Sequence, residues 1–250
     1  MPAPPSFARR SRWPVTLVSL GLLVLPLVLT PLCVALAILA TLCWQGVHGA
    51  RPVAPDAGTL TLMALGGYAV AVWISIGLAW RWSARLGHPG EVFAFRRPTV
   101  LDVTIVLVGF LAAWYAAPVI HHWAQSLVGV RPGRGSFAPP AWTTALVVIS
   151  TIVTAPLGEE VLFRGLLVFW LRRLGWPSIV IWLVGSLVFA AIHLPTAGPA
   201  WSITIFCFGG MLLAIRLWRG SLTPCWLIHL LFNLRTIPAI AVLLVGLLPG

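Results

Sequence analysis

Apolar residues come in long runs broken by short polar segments, and the lengths of the runs set the first reading. An α-helix rises 1.5 Å per residue, so about 20 apolar residues cross the roughly 30 Å of hydrocarbon in a bilayer. Runs of that order fall at Pro14–Trp44, Thr59–Trp80, Leu101–Ile120, Ala141–Leu171, Trp176–His193 and Ala200–Trp218. Pro26 and Pro31 predict kinks in the first run, and Pro156 with Gly158 interrupts the fourth. The last run, Thr223–Leu248, reads as one helix kinked at Pro238, or as a seventh span followed by a short eighth. The pattern predicts an all-α, polytopic membrane helix bundle of about seven or eight transmembrane helices.

Composition sharpens this. The 250 residues are 60% hydrophobic and 8% charged, whereas a soluble domain is about a quarter charged. A formal net charge of +11 raises the question of nucleic acid. However, all 16 basic residues are Arg, and nearly all lie in the segments between apolar runs. That is the positive-inside pattern of a multi-span protein, and no nucleic-acid partner is expected. One set of segments holds Arg9, Arg10, Arg12, Arg81, Arg85, Arg96, Arg97, Arg172, Arg173, Arg216 and Arg219. The alternate set holds only Arg51, Arg131 and Arg134. The imbalance places a multi-pass protein in the cell membrane with its N-terminus in the cytoplasm. The first run, 31 residues long, exceeds the about 7–15 apolar residues of a cleaved signal and reads as a retained span.

Smaller features narrow the classes further. Cys33, Cys43, Cys207 and Cys225 lie in apolar runs without a CxxC, the setting of free thiols. An absence of Lys beside abundant Ala, Gly, Pro and Trp is the composition expected of a GC-rich bacterial genome. The Gly- and Pro-rich stretch Val128–Pro140 divides residues 1–140, a front region of about three spans, from residues 141–250. The front region shows no membrane-buried ionisable cluster, so all the candidate chemistry falls in the second part.

That chemistry begins with two carboxylates in a place hostile to charge. Of five acidic residues, Asp56, Glu91 and Asp102 lie in loops or at a span edge, while Glu159 and Glu160 sit deep in an apolar helix. A charge at mid-bilayer costs about 2.5–3.5 kcal/mol on insertion scales, so it must be paired, neutralised or hydrated. Glu160 and Arg164 are spaced i,i+4 with the acid first, the favourable order for a salt bridge. Glu159 lies about 100° round the helix and points elsewhere. A carboxylate left there without a cation suits a general base.

Partners for Glu159 are found at matching depth. His193 closes the run Phe189–His193, and His229 and Asn233 share a helix face at i,i+4. At 1.5 Å per residue Glu159 lies about 20 Å above Arg172, His193 about 25 Å above Trp176, and Asn233 about 18 Å above Ser221. Three helices bring polar groups to one slab of membrane.

These residues resemble a known family. GEEVLFRG at Gly158–Gly165 fits an EExxxR motif, Phe189–His193 fits FxxxH, and His229–Asn233 fits HxxxN. In this order they are similar to the CPBP family of intramembrane proteases (CAAX proteases and bacteriocin-processing enzymes, also called Abi), over roughly residues 141–235. The resemblance implies a catalytic core formed by the C-terminal four helices. It implies that Glu159 and His193 activate a water, that His229 and Asn233 stabilise the oxyanion, and that Glu160 and Arg164 brace the site. Phe189 is expected to pack beside it.

The implied activity is hydrolysis of peptide bonds in a membrane-associated or hydrophobic peptide substrate, with no cofactor. Zn²⁺ on Glu159, His193 and His229 is the alternative, disfavoured because there is no HExxH and because Asn233 suits an oxyanion better than a metal. A non-catalytic immunity or scaffold protein of the same fold is the other reading. A proton-coupled transporter would show repeated halves, and the sequence has none.

The Arg imbalance makes a prediction of its own. A reporter fused after Arg97 reads as cytoplasmic and one fused after Arg134 as external; the reverse at both positions overturns the orientation.

Overall fold

The apolar runs are helical, and the helices continue past the ends of the runs. The computed structural model describes residues 12–49, 51, 53–128, 146 and 148–235, and among them every regular element is a helix. Helix α1 is Arg12–Val47, α2 is Ala57–Arg85, α3 is Pro89–Val92 and α4 is Val100–Val128. Four consecutive segments, Val148–Thr154, Ala155–Glu159, Glu160–Leu167 and Val168–Arg173, follow one another without a break and form α5. Helix α6 is Ser178–Arg219 and α7 is Thr223–Leu234. Arg131, Arg134 and the segment around Pro238 lie outside the described residues.

Among the described residues four helices are long and apolar enough to cross a membrane: Val15–Val47, Gly58–Arg85, Val100–Val128 and Ser178–Arg219. Their outward faces carry Leu27, Leu36, Leu107, Val108, Leu183 and Leu187, all exposed, as expected where lipid is the solvent. The helices outrun the apolar segments because helical hydrogen bonding persists into polar flanks until a cap ends it. Asp56 caps α2 by accepting the Thr59 N–H at 2.7 Å. That bond from the Thr59 backbone holds the Asp56 carboxyl below its usual range. All four cysteines are free thiols.

Pro156 and Gly158 do not interrupt α5, contrary to the expectation from sequence. Two stretches of α5, Val148–Thr154 and Glu160–Leu167, are wide π-type turns with i→i+5 hydrogen bonds. The first ends where Pro156, having no N–H, would be the next donor, and the helix continues as α-helix from Ala155. Gly158 lies against Val72 of α2 and Gly165 against the Val92 carbonyl, and neither place has room for a Cβ. From Glu160 to Phe169 every residue of α5 is buried.

One core surrounds that rod, joining Leu162, Leu166 and Phe169 to Ile181, Phe189 and Leu213. A second joins α4, α6 and α7 through Val106, Phe208, Leu212 and Ile228. Asp102, at the start of α4, accepts from Arg219 Nε at 2.8 Å and ties α4 to the end of α6.

Helix α6, 42 residues long, turns at Gly198, whose backbone is non-helical at φ 76°, ψ 170°. Its two halves lie against each other: Trp182 Nε1 donates to the Gly210 carbonyl at 2.8 Å, and a Cβ on Gly185 would lie 2.6 Å from Leu213. The expected runs Trp176–His193 and Ala200–Trp218 are these two halves.

Backbone of that kind is essentially restricted to glycine and costs other residues about 1–3 kcal/mol. Gly198→Ala is therefore expected to lower the unfolding temperature in detergent. Gly77→Ala, inside α2 with nothing within 4 Å of the added methyl, is expected to be neutral or mildly stabilising. Equal effects would remove strain at Gly198 as the reason for the turn.

Candidate active site

The two adjacent carboxylates leave α5 in different directions. Glu160 is fully buried, and its Oε1 stands 3.3 Å from Arg164 Nη1, so the i,i+4 pair read from the sequence is present. The same oxygen accepts from His229 Nδ1 at 2.9 Å. Arg164 is itself buried: Nη2 donates to the Gly209 carbonyl at 3.1 Å, and its guanidinium lies 4.0 Å from the Phe189 ring centre. Gly209 makes this possible, since a Cβ there would lie 2.6 Å from Phe189.

Glu159 keeps some exposure and turns the other way. Its Oε1 accepts from the Tyr68 hydroxyl at 3.0 Å. Its Oε2 faces His193 Nε2 at 3.9 Å and His229 Nε2 at 3.7 Å. Each imidazole is fixed by its other nitrogen. His193 Nδ1 hydrogen-bonds the Phe189 carbonyl one turn back, at 2.7 Å. His229 Nδ1 is committed to Glu160, and its ring stands between Phe189 and Phe208, with centroids 6.3 and 5.3 Å away. Both Nδ1 atoms thus donate to oxygen, which leaves both Nε2 atoms directed at Glu159.

Asn233 is oriented by a consequence of Pro156. In the i→i+5 ladder the donor to the Thr151 carbonyl would be residue 156, and proline has no N–H. Asn233 Nδ2 donates to that carbonyl instead, at 2.8 Å. Glu159, His193, His229 and Asn233 line one cavity of about 270 Å³, with Trp201, Phe208, Phe232 and Arg235 among its other walls. Phe189 also lines it, so the aromatic expected beside the site is there. Glu160 and Arg164 stand behind it.

Tyr68 is the contributor the sequence reading missed, and it corrects the expectation that the front region holds no site chemistry. It comes from α2, far from every motif. The available signal was weak: it is one of two tyrosines in the chain and sits in an apolar run, where a phenol needs an acceptor.

The zinc alternative concerns Glu159, His193 and His229. Zinc bonds of about 2.0–2.2 Å at tetrahedral angles set donor atoms about 3.3–3.6 Å apart. The separations of 3.9 and 3.7 Å are wider, and among the described residues no group of three His, Cys, Asp or Glu is placed to hold a metal ion.

Residues 140–235 match the family model described as type II CAAX prenyl endopeptidase Rce1-like. No curated protein and no solved structure matches the chain. The matched segment contains Glu159, Glu160, Arg164, Phe189, His193, His229 and Asn233, and leaves out Tyr68. Over residues 140–235, with every residue of the three motifs in place, the chain is similar to the Rce1-like type II CAAX prenyl endopeptidases.

Proposed function

We propose that this protein is an intramembrane endopeptidase that hydrolyses a membrane-associated or hydrophobic peptide by direct attack of water. The observation that carries the reading is Glu159 Oε2 facing two imidazole Nε2 atoms on the wall of a cavity that also holds Asn233. A water at that point gives one proton to Glu159 Oε2 as its oxygen attacks the scissile carbonyl carbon. His193 Nε2 accepts the second hydrogen of the water and so aims its lone pair. The oxyanion that forms is met by His229 and Asn233. Because His229 Nδ1–H is given to Glu160, its Nε2 donates only when the ring is an imidazolium. Its two nitrogens lie 2.9 Å from Glu160 and 3.7 Å from Glu159.

When the C–N bond breaks, Glu159 returns its proton to the leaving amine; no acyl-enzyme and no metal are needed. Tyr68 holds Oε1 and leaves Oε2 for the water. We read the fold as a bundle of seven or eight spans, the two halves of α6 counted separately, with the arginine-rich ends in the cytoplasm. Partners are the lipid bilayer and a peptide or membrane-protein substrate, with no nucleic acid.

Substitutions at the two carboxylates separate their roles. Glu159→Gln is expected to abolish cleavage of a quenched peptide library in detergent with the unfolding temperature unchanged, since the amide still accepts from Tyr68. Glu160→Gln leaves Arg164 buried without its counter-charge and is expected to cost about 3–5 kcal/mol of stability. Tyr68→Phe is expected to lower kcat about tenfold with KM unchanged, by analogy with the loss of one charge-assisted hydrogen bond. Full activity in the Glu159 variant would remove the general base.

The oxyanion and zinc mechanisms differ in a second measurement. Asn233→Ala is expected to cut kcat by about 10²–10³ while substrate still binds. Prolonged chelation is expected to leave wild-type activity intact. Zinc at about one per chain, tracking activity through removal and replacement, would sink the metal-free mechanism.

A further inference from the structure

Outside the active site, α3, the end of α5 and the turn between α6 and α7 enclose a recess of about 130 Å³. Its lining includes Gly90, Glu91, Arg96, Arg172, Arg216 and Gly220. Arg216 is 4% exposed, so its charge is buried. Two of its five N–H donors are used, by Nε on the Arg164 carbonyl at 3.0 Å and by Nη2 on the Glu91 carbonyl at 2.9 Å. Both acceptors are neutral.

Arg96 and Arg172 add two more guanidinium groups, and among the described residues neither has an ion-pair partner. The only carboxylate on the recess is that of Glu91, and it is engaged by His88 Nδ1 at 2.7 Å. Three cations thus surround a pocket that holds one acid. A buried charge without a counter-ion is costly, and the planar fork of Arg fits phosphate oxygens in pairs. The volume is about that of four waters, enough for a tetrahedral anion.

We propose that this recess binds a phosphate group, and that the phosphate belongs to the headgroup of an anionic lipid. The surroundings favour a lipid over a free anion. Exposed Trp80, Phe95, Trp176 and Trp218 lie within a few residues of these and neighbouring arginines in sequence, as aromatic side chains do at the headgroup level of a bilayer. Basic pockets between membrane helices are where anionic headgroups dock. The site does not depend on the protease reading.

The test uses the full chain in neutral detergent, with native mass spectrometry and thermal unfolding. Phosphatidylglycerol is expected to be retained and to raise the unfolding temperature, and phosphatidylcholine is not. Arg96→Gln and Arg172→Gln, both at exposed positions, are each expected to weaken retention about tenfold, as one Arg–phosphate contact would. Arg97→Gln and Arg173→Gln, on the same turns but outside the recess, are expected to change nothing. An equal loss in all four variants would mean diffuse surface charge and would overturn the site. Inorganic phosphate matching the lipid in affinity and stabilisation would overturn the lipid assignment, and no response to either would overturn both.

Discussion

Everything in this structure is arranged around charge that must be kept out of contact with lipid. Glu160 and Arg164 occupy one turn of α5, and neither is exposed beyond 1%. At that depth neither side chain is stable alone, so each gathers partners: His229 and Arg164 on the carboxylate, the Gly209 carbonyl and the Phe189 ring on the guanidinium. Those contacts fix α7 and the second half of α6 against α5. The core packs Leu and Phe around this arrangement. It also explains why the helix carrying the charges is the most enclosed element: lipid on any side would leave a charge with no means of solvation.

Glu159 depends on the same arrangement. Glu160 accepts a hydrogen bond from His229 Nδ1 and thereby directs the opposite nitrogen at its sequence neighbour. Two identical side chains, adjacent on one helix, therefore differ because one faces a guanidinium and an imidazole and the other a hydroxyl and two imidazole nitrogens. The buried ion pair and Glu159 are linked through a single histidine ring.

Local spacing made part of this legible in the sequence. The i,i+4 intervals Glu160–Arg164 and His229–Asn233 state which side chains share a helix face, and rise per residue states that three helices reach one depth. The apolar runs likewise foretold the helices, including the two halves of α6, because lipid demands a minimum apolar length. Long-range contacts were not legible. Tyr68 meets Glu159 across 91 positions of chain, and His229 meets Glu160 across 69, and no spacing rule reaches that far. Helix α3 was missed because four residues between polar loops make no periodic pattern. The wide turns of α5 were read as an interruption because Pro and Gly signal the end of a helix unless a neighbour fills the vacated bond.

That vacated bond has a consequence for how Asn233 is aimed. Thr151 and Asn233 belong to different helices, and what joins them is a donor that proline lacks. Any residue with a backbone N–H at position 156 would compete for the carbonyl now held by the amide of Asn233, and of these two ties between α7 and α5 the bond from His229 to Glu160 would remain. The orientation of a side chain on one helix is thus encoded by the identity of an imino acid on another. A change at position 156 would register as a loss of aim in a distant residue, with the carboxylates of α5 still in place.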